Sequence, residues 1–96
     1  MYSSTFTFAI KTLTDEFHQL DQEIAAFAKS IPGYLGEEAW ENPAAGLFSN
    51  VYYWDSMEAL QTLMTHPAHQ AVKRRQAQWL NGYQVVIALV LRSHGD

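Results

Sequence analysis

The chain contains no cysteine, which excludes disulfides, thiolate nucleophiles and cysteine-ligated metals. Basic residues are scarce: six Lys and Arg stand against ten Asp and Glu, for a net charge of −4. Half of the basic residues are crowded at Lys73, Arg74 and Arg75, a narrower footprint than nucleic acid requires. Long apolar runs are missing too. The longest, Val85 to Leu91, has seven residues, against the roughly 20 that a spanning helix needs. The opening MYSSTFTFAIK has no basic segment followed by a long apolar one, so no secretory signal is expected and the expected location is cytoplasmic. Charged residues make up only 17% of the chain while apolar residues reach 48%. A surface this poor in charge suits a subunit partly covered by a partner.

What is present fits one domain spanning 1–96, with no linker, repeat or low-complexity tract. From Ser3 to Ile10 the pattern alternates, with Phe6, Phe8 and Ile10 on one face and Thr5, Thr7 and Ala9 on the other, as in a strand. Thr14 can cap a helix that carries Asp15 and Glu16 in its first turn. Phe17, Leu20, Ile24, Phe27 and Ala28 give that helix one apolar stripe, and Ile31-Pro32-Gly33 stops it. A second strand is predicted over Tyr34–Glu41, a turn at Asn42-Pro43 and Gly46, and a third strand over Leu47–Trp54. Asp55 or Ser56 then caps a short helix with Met57, Leu60, Leu63 and Met64 inward. Pro67 opens either a further helix or a bend in the same one. Asn81-Gly82 is predicted to end the helical stretch, and Tyr83–Leu91 to form the last strand.

The order β-α-β-β-α-β is that of a ferredoxin-like α+β fold, in which a four-stranded antiparallel sheet carries its helices on one face. Both faces of the last two strands are nonetheless apolar. The final strand shows Val85, Ile87, Leu89 and Leu91 on one side and Val86, Ala88 and Val90 on the other. The third shows Phe48, Tyr52 and Trp54 opposite Leu47, Val51 and Tyr53, so it is predicted to be buried on both faces. Helices can cover only one side, and an uncovered apolar sheet face favours a twofold homodimer through that face.

Asn50 is the one amide on the aromatic side of the third strand, and a lone polar anchor in an apolar wall is how small-molecule sites are built. It equally suits a buried Asn that bonds backbone and specifies the core. Trp54 ends the same strand and can donate its indole N–H to a ligand or serve as core; Trp40, Tyr52, Trp79 and Tyr83 share that ambiguity. His66 and His69 form His-x-x-His across Pro67, but no further ligand is spaced to join them, so no metal site is expected. Lys73 and Arg74 occupy successive helical positions, and one of them can reach toward an anionic ligand. No carboxylate pair is spaced for acid–base work, and there is no glycine-rich phosphate loop.

The segment from Pro32 to Leu91 resembles the antibiotic biosynthesis monooxygenase (ABM) family. The likeness lies in Pro32-Gly33-Tyr34-Leu35, in Tyr53-Trp54-Asp55-Ser56 followed by Glu58-Ala59-Leu60, in His66-Pro67-Ala68-His69, and in Trp79 and Tyr83 leading into the last strand. The resemblance implies a dimeric α/β barrel. It also implies a cofactor-independent monooxygenase that oxidises a small aromatic phenol or quinol with molecular oxygen, the substrate phenolate donating an electron to oxygen. Asn50 and Trp54 match the catalytic Asn and Trp of that branch by type and spacing. Phe48, Tyr52, Leu60, Lys73, Arg74 and Trp79 become the implied substrate-binding residues. Leu60 and Ala39 stand where the branch has tyrosines. The haem-degrading branch is not matched, since Leu63 and Lys73 fall near its Trp and His. The alternative is a non-catalytic dimeric module of the same fold that binds or senses a small aromatic ligand. Size-exclusion chromatography with light scattering is expected to return twice the chain mass, and a monomer at micromolar concentration contradicts the covered sheet face.

Overall fold

A computed structural model describes residues 1–95. The elements run β1 (Tyr2–Ile10), α1 (Asp15–Ser30), β2 (Tyr34–Asn42), β3 (Leu47–Trp54), α2 (Met57–Met64), α3 (Pro67–Arg75) and β4 (Leu80–Leu89). The four strands form one antiparallel sheet in the order β2-β3-β1-β4, the ferredoxin-like arrangement.

Each helix starts where a capping side chain meets its first free N–H groups. Thr14 Oγ1 accepts from Phe17 N at 3.2 Å to open α1, and Ser56 Oγ accepts from Ala59 N at 3.2 Å to open α2. Of the two caps expected for α2, Ser56 is therefore the one used. Pro67 begins a separate helix rather than a bend, with His66 Nδ1 accepting from Ala68 N at 3.1 Å.

The end of α3 departs from expectation. The helix stops at Arg75, a 3-10 turn follows over Gln76–Gln78, and Asn81 and Gly82 lie inside β4 instead of ending the helix. Trp79 supplies the reason. Its side chain is 1% exposed and packs on Phe17, while its carbonyl accepts from Lys11 N at 2.8 Å and Thr12 N at 3.1 Å. Unwinding the helix drops this residue into the core and ties it to the end of β1. The strand therefore begins earlier than predicted, and it also ends earlier, at Leu89, leaving Leu91 85% exposed. β2 runs one residue longer than predicted, to Asn42.

The core is split in two. Trp54, fully buried, gathers Ala28, Ile31, Ala59, Leu60 and Leu63 at one end of the sheet. Trp79 gathers Phe8, Phe17 and Leu80 at the other. The start of β1 joins the first cluster through Tyr2 and its later part joins the second through Phe6 and Phe8, so roughly 13 Å of strand separates them at about 3.3 Å per residue.

The outer sheet face carries no helix. Leu47, Val51, Tyr53 and Val86 lie there, with Leu47 and Val86 exposed and Val51 and Tyr53 half-buried. Burial of β3 on both faces is thus not reached within one chain. Trp54 is its only fully buried residue.

Ile31-Pro32-Gly33-Tyr34 forms the turn between α1 and β2, with Tyr34 N donating to Ile31 O at 3.0 Å. Pro at the second position and a glycine with φ of +102° at the third make the pattern of a type II turn. A Cβ on Gly33 would also collide with the Asp55 carboxylate and meet Ala59 Cβ at 3.0 Å. Gly82 has φ of +96° but open space around it. Urea unfolding is therefore expected to show Gly82→Ala losing about 1 kcal/mol from backbone strain alone, and Gly33→Ala losing about 3 kcal/mol. Equal losses contradict the close approach at Gly33.

Candidate functional site

Between the two clusters, helices and sheet stand apart and leave a cavity of about 380 Å³. Its lining follows from simple periodicities. α1 contributes Phe17, Asp21 and Ile24, spaced four and three apart. α2 contributes Leu60, Leu63 and Met64. α3 contributes His69, Val72 and Lys73, and the 3-10 turn after it adds Gln76. These are the i, i+3, i+4, i+7 stripes of helices facing a sheet. The floor alternates on β3 and β4, with Asn50 and Tyr52 from β3 and Tyr83, Val85 and Ile87 from β4, while β1 contributes Ser4, Thr5 and Phe6. On the β4 side the wall stands open, Val85 being 50% exposed.

Of the eight candidate residues, Asn50, Tyr52, Leu60 and Lys73 meet at this cavity. The other four do not line it. Trp54 lies behind the wall, stacked on Tyr52 at 5.9 Å, and its indole N–H donates to Ser4 Oγ at 3.2 Å. Phe48 stacks on Phe8 at 5.9 Å within the second cluster, and Trp79 is the buried centre of that cluster. Arg74 sits one position past Lys73, off the stripe that faces the cavity.

The side-chain amide of Asn50 makes no hydrogen bond to another group among the described residues. On the same strand, Ser49 by contrast shares a hydrogen bond with Thr7 Oγ1 at 3.1 Å on the outer face. The Asn50 amide is thus presented to the cavity with donors and acceptor free. Tyr52 differs. Burial pushes its phenol well above the ordinary value, and the nearby Glu37 carboxylate pushes the same way. Tyr52 therefore holds its proton, and it stands on the cavity lining beside Asn50.

Two titratable residues on the lining were not singled out as site residues from the sequence. Asp21 lies toward the mouth, its carboxyl raised above 3.8 chiefly by burial, with His18 opposing and Glu37 adding. His69 lies on the helical wall. Burial lowers its imidazole below 6.5, with Lys73 and His66 acting in the same direction and the Met64 carbonyl opposing. Its Nδ1 is sealed from solvent and has no partner. The signal for His69 was its spacing of four from Lys73, which puts both on one helix face. The motif His66-Pro67-Ala68-His69 drew attention to metal ligation instead, but His66 Nδ1 is occupied in capping α3.

With this geometry in place, the likenesses to known proteins take on meaning. The fold is that of the antibiotic biosynthesis monooxygenase proteins. A structure described as an antibiotic biosynthesis monooxygenase superposes with a TM-score of 0.70 at 15% identity, covering 96% of this chain and 100% of that one. SnoaB, described as a cofactor-independent oxygenase from Streptomyces nogalater, superposes with a TM-score of 0.76 at 12% identity, covering 99% of this chain and 97% of that one. In sequence the chain is 31% identical over 93 residues to the uncharacterised protein YqjZ of Bacillus subtilis, spanning 95% of this chain and 81% of YqjZ, and it belongs to the same family. No protein-family model matches it.

The pH dependence of stability follows from His69. In the native state the imidazole resists protonation, whereas in the unfolded chain it titrates near 6.5. Its contribution is complete above that value and is lost as the pH falls through the lower native value. Asp21 has the opposite sign. Its raised carboxyl favours the native state below 3.8, and that advantage is lost as the pH rises through its native value. Urea unfolding at pH 7.5 and 5.5 is expected to show a smaller drop in stability for His69→Gln than for the natural chain. An identical drop contradicts a buried neutral imidazole.

Proposed function

We propose that this chain is a cofactor-independent monooxygenase that oxidises a small aromatic phenol or quinol with molecular oxygen, working as a homodimer joined through the outer sheet face. The observation that carries the proposal is the cavity of about 380 Å³ into which Asn50 presents an amide without a protein partner. That volume lies at the lower end of small-molecule sites, suited to an aromatic of one to a few rings. Phe6, Phe17, Leu60, Leu63 and Val72 surround the ring plane with apolar surface, and polar contacts are few.

The chemistry needs little from the protein except electrostatics. The ionised substrate passes an electron to oxygen, and the resulting pair joins at carbon as a peroxide. Negative charge moves from the phenolic oxygen to the peroxide during these steps. The Asn50 amide N–H is the group placed to meet such charge, and a fixed donor of this kind contributes about 2–4 kcal/mol. Lys73 at the mouth adds a positive charge that favours the anionic substrate. Trp54, with its N–H given to Ser4, supports this site from behind by holding Tyr52 and β3 in place. The naming of SnoaB as a cofactor-independent oxygenase supports the reading. The exposed Val86 and Leu47, with Val51 and Tyr53 beside them, supply the apolar surface for the second copy.

Oxygen-electrode measurements with a panel of quinols and naphthols are expected to find uptake with at least one compound, and Asn50→Ala is expected to lower it by about a hundredfold. Uptake that survives Asn50→Ala overturns the role of the amide. Ligand binding in thermal shift with no uptake from any compound overturns the enzyme in favour of a binding module.

A further inference from the structure

If the cavity takes a phenol, something must remove its proton before an electron can leave. The titratable groups on the lining are Asp21 from α1, Tyr52 from β3, His69 and Lys73 from α3, and Tyr83 from β4. Lys73 is a cation with donors only. Tyr52 is held protonated, chiefly by burial. Tyr83 packs its ring on Phe6 at 5.6 Å as part of the apolar wall. Asp21 is exposed as a residue although its carboxyl is partly desolvated, and it is the rival base that the test below separates from His69. His66, one turn before His69, is spent on capping α3.

His69 remains, half-buried on the helical wall above the sheet that carries Asn50. Its Nδ1 has neither solvent nor a hydrogen-bond partner, a condition that destabilises a buried polar atom. No structural duty explains it, since His69 caps no helix and pairs with no carboxylate among the described residues. The Met64 carbonyl beside the ring favours a proton on the nitrogen facing it and leaves the other nitrogen as an acceptor. His69 is on the cavity lining, and a half-turn about Cβ–Cγ exchanges the positions of its ring nitrogens with those of ring carbons. The half-turn also puts a C–H where the orphaned nitrogen was.

We propose that His69 is the general base of this site, its neutral imidazole accepting the hydroxyl proton of a phenol or quinol whose oxygen is held by the Asn50 amide. The inference rests on the phenol-oxidising reading above. The phenolic O–H bond breaks and an N–H bond forms, giving phenolate and imidazolium. Phenolate transfers one electron to dioxygen, and the phenoxyl radical and superoxide join through a new C–O bond at a hydrogen-bearing ring carbon ortho or para to the oxygen. The peroxide anion takes the proton back from His69. That carbon then loses its hydrogen as a proton while the O–O bond breaks and hydroxide leaves, so the products are a quinone and water. Dioxygen is the oxidant, and the imidazole ends as it began. Burial of the ring keeps it neutral and ready to accept.

The test uses 4-nitrophenol, whose phenolate is read by absorbance, together with oxygen uptake. The pH series must be interpreted with Lys73, His66, Asp21 and Tyr52 in view, since these are the groups around the ring and the cavity. Bound to the natural chain, the probe is expected to show a phenolate-to-phenol ratio at least tenfold higher than when bound to His69→Gln. Uptake of the best quinol is expected to fall about a hundredfold in His69→Gln. Added imidazole is expected to restore part of the uptake in His69→Gly, an effect that a merely structural role does not produce. A probe that binds both proteins with equal ionisation overturns the base and leaves the oxygenase reading standing. Loss of phenolate in Asp21→Asn with none in His69→Gln assigns the base to Asp21 and also overturns the proposal. Failure of the natural chain to bind 4-nitrophenol or any quinol removes the oxygenase reading itself.

Discussion

Two buried tryptophans, one at each end of the sheet, set the terms for the rest of the structure. Trp54 closes β3 and packs beneath α1 and α2, while Trp79 interrupts the path from α3 to β4. An indole buries roughly 150–250 Å², so each cluster is dominated by its tryptophan, and replacing either by Ala is expected to cost about 3–5 kcal/mol on general grounds. Neither cluster extends far enough along β1 to meet the other. The helices bridge the interval, and the space beneath them becomes the cavity. The site is therefore the part of the core that two large side chains leave unfilled.

That arrangement explains which parts of the molecule could be read in advance. Strand alternation separated Phe48, Asn50, Tyr52 and Trp54 from Leu47, Val51 and Tyr53, and register pairs such as Phe6–Asn50 and Ser4–Tyr52 confirm the shared face. Capping chemistry located the helix starts, because Thr14, Ser56 and Pro67 act through short-range bonds that a sequence displays directly. Alternation does not say how deep along a strand each residue lies. Phe48 and Asn50 share a face, yet one fills the second cluster and the other opens onto the cavity. Trp54 likewise shares that face but is sealed at its far end. Depth depends on where the helices cross, and that is fixed by tertiary packing.

The same limit accounts for the helix end and for His69. Asn81-Gly82 is a sound local stop signal, but the burial of Trp79 and the two hydrogen bonds to its carbonyl end the helix at Arg75, six residues before Asn81. Gly82 keeps a use nonetheless, supplying a positive φ inside β4. His69 was legible as a member of a stripe with Val72 and Lys73, though its isolation from any hydrogen-bond partner is a property of the folded chain alone. The stripe also separates Lys73 from Arg74, since 100° of helical rotation carries one to the cavity and the other away.

Asn50 is where these threads meet: a strand residue legible from its pattern, presented to a gap that only the fold creates, with its amide unclaimed by the protein. The most direct test follows the side-chain amide resonances of Asn50 in 15N-labelled protein, assigned by their loss in Asn50→Ala, as 2-naphthol is added. A large shift of those resonances together with those of residues lining the cavity is the predicted result. Binding of 2-naphthol that leaves the Asn50 amide unmoved and perturbs only the outer sheet face would contradict the account.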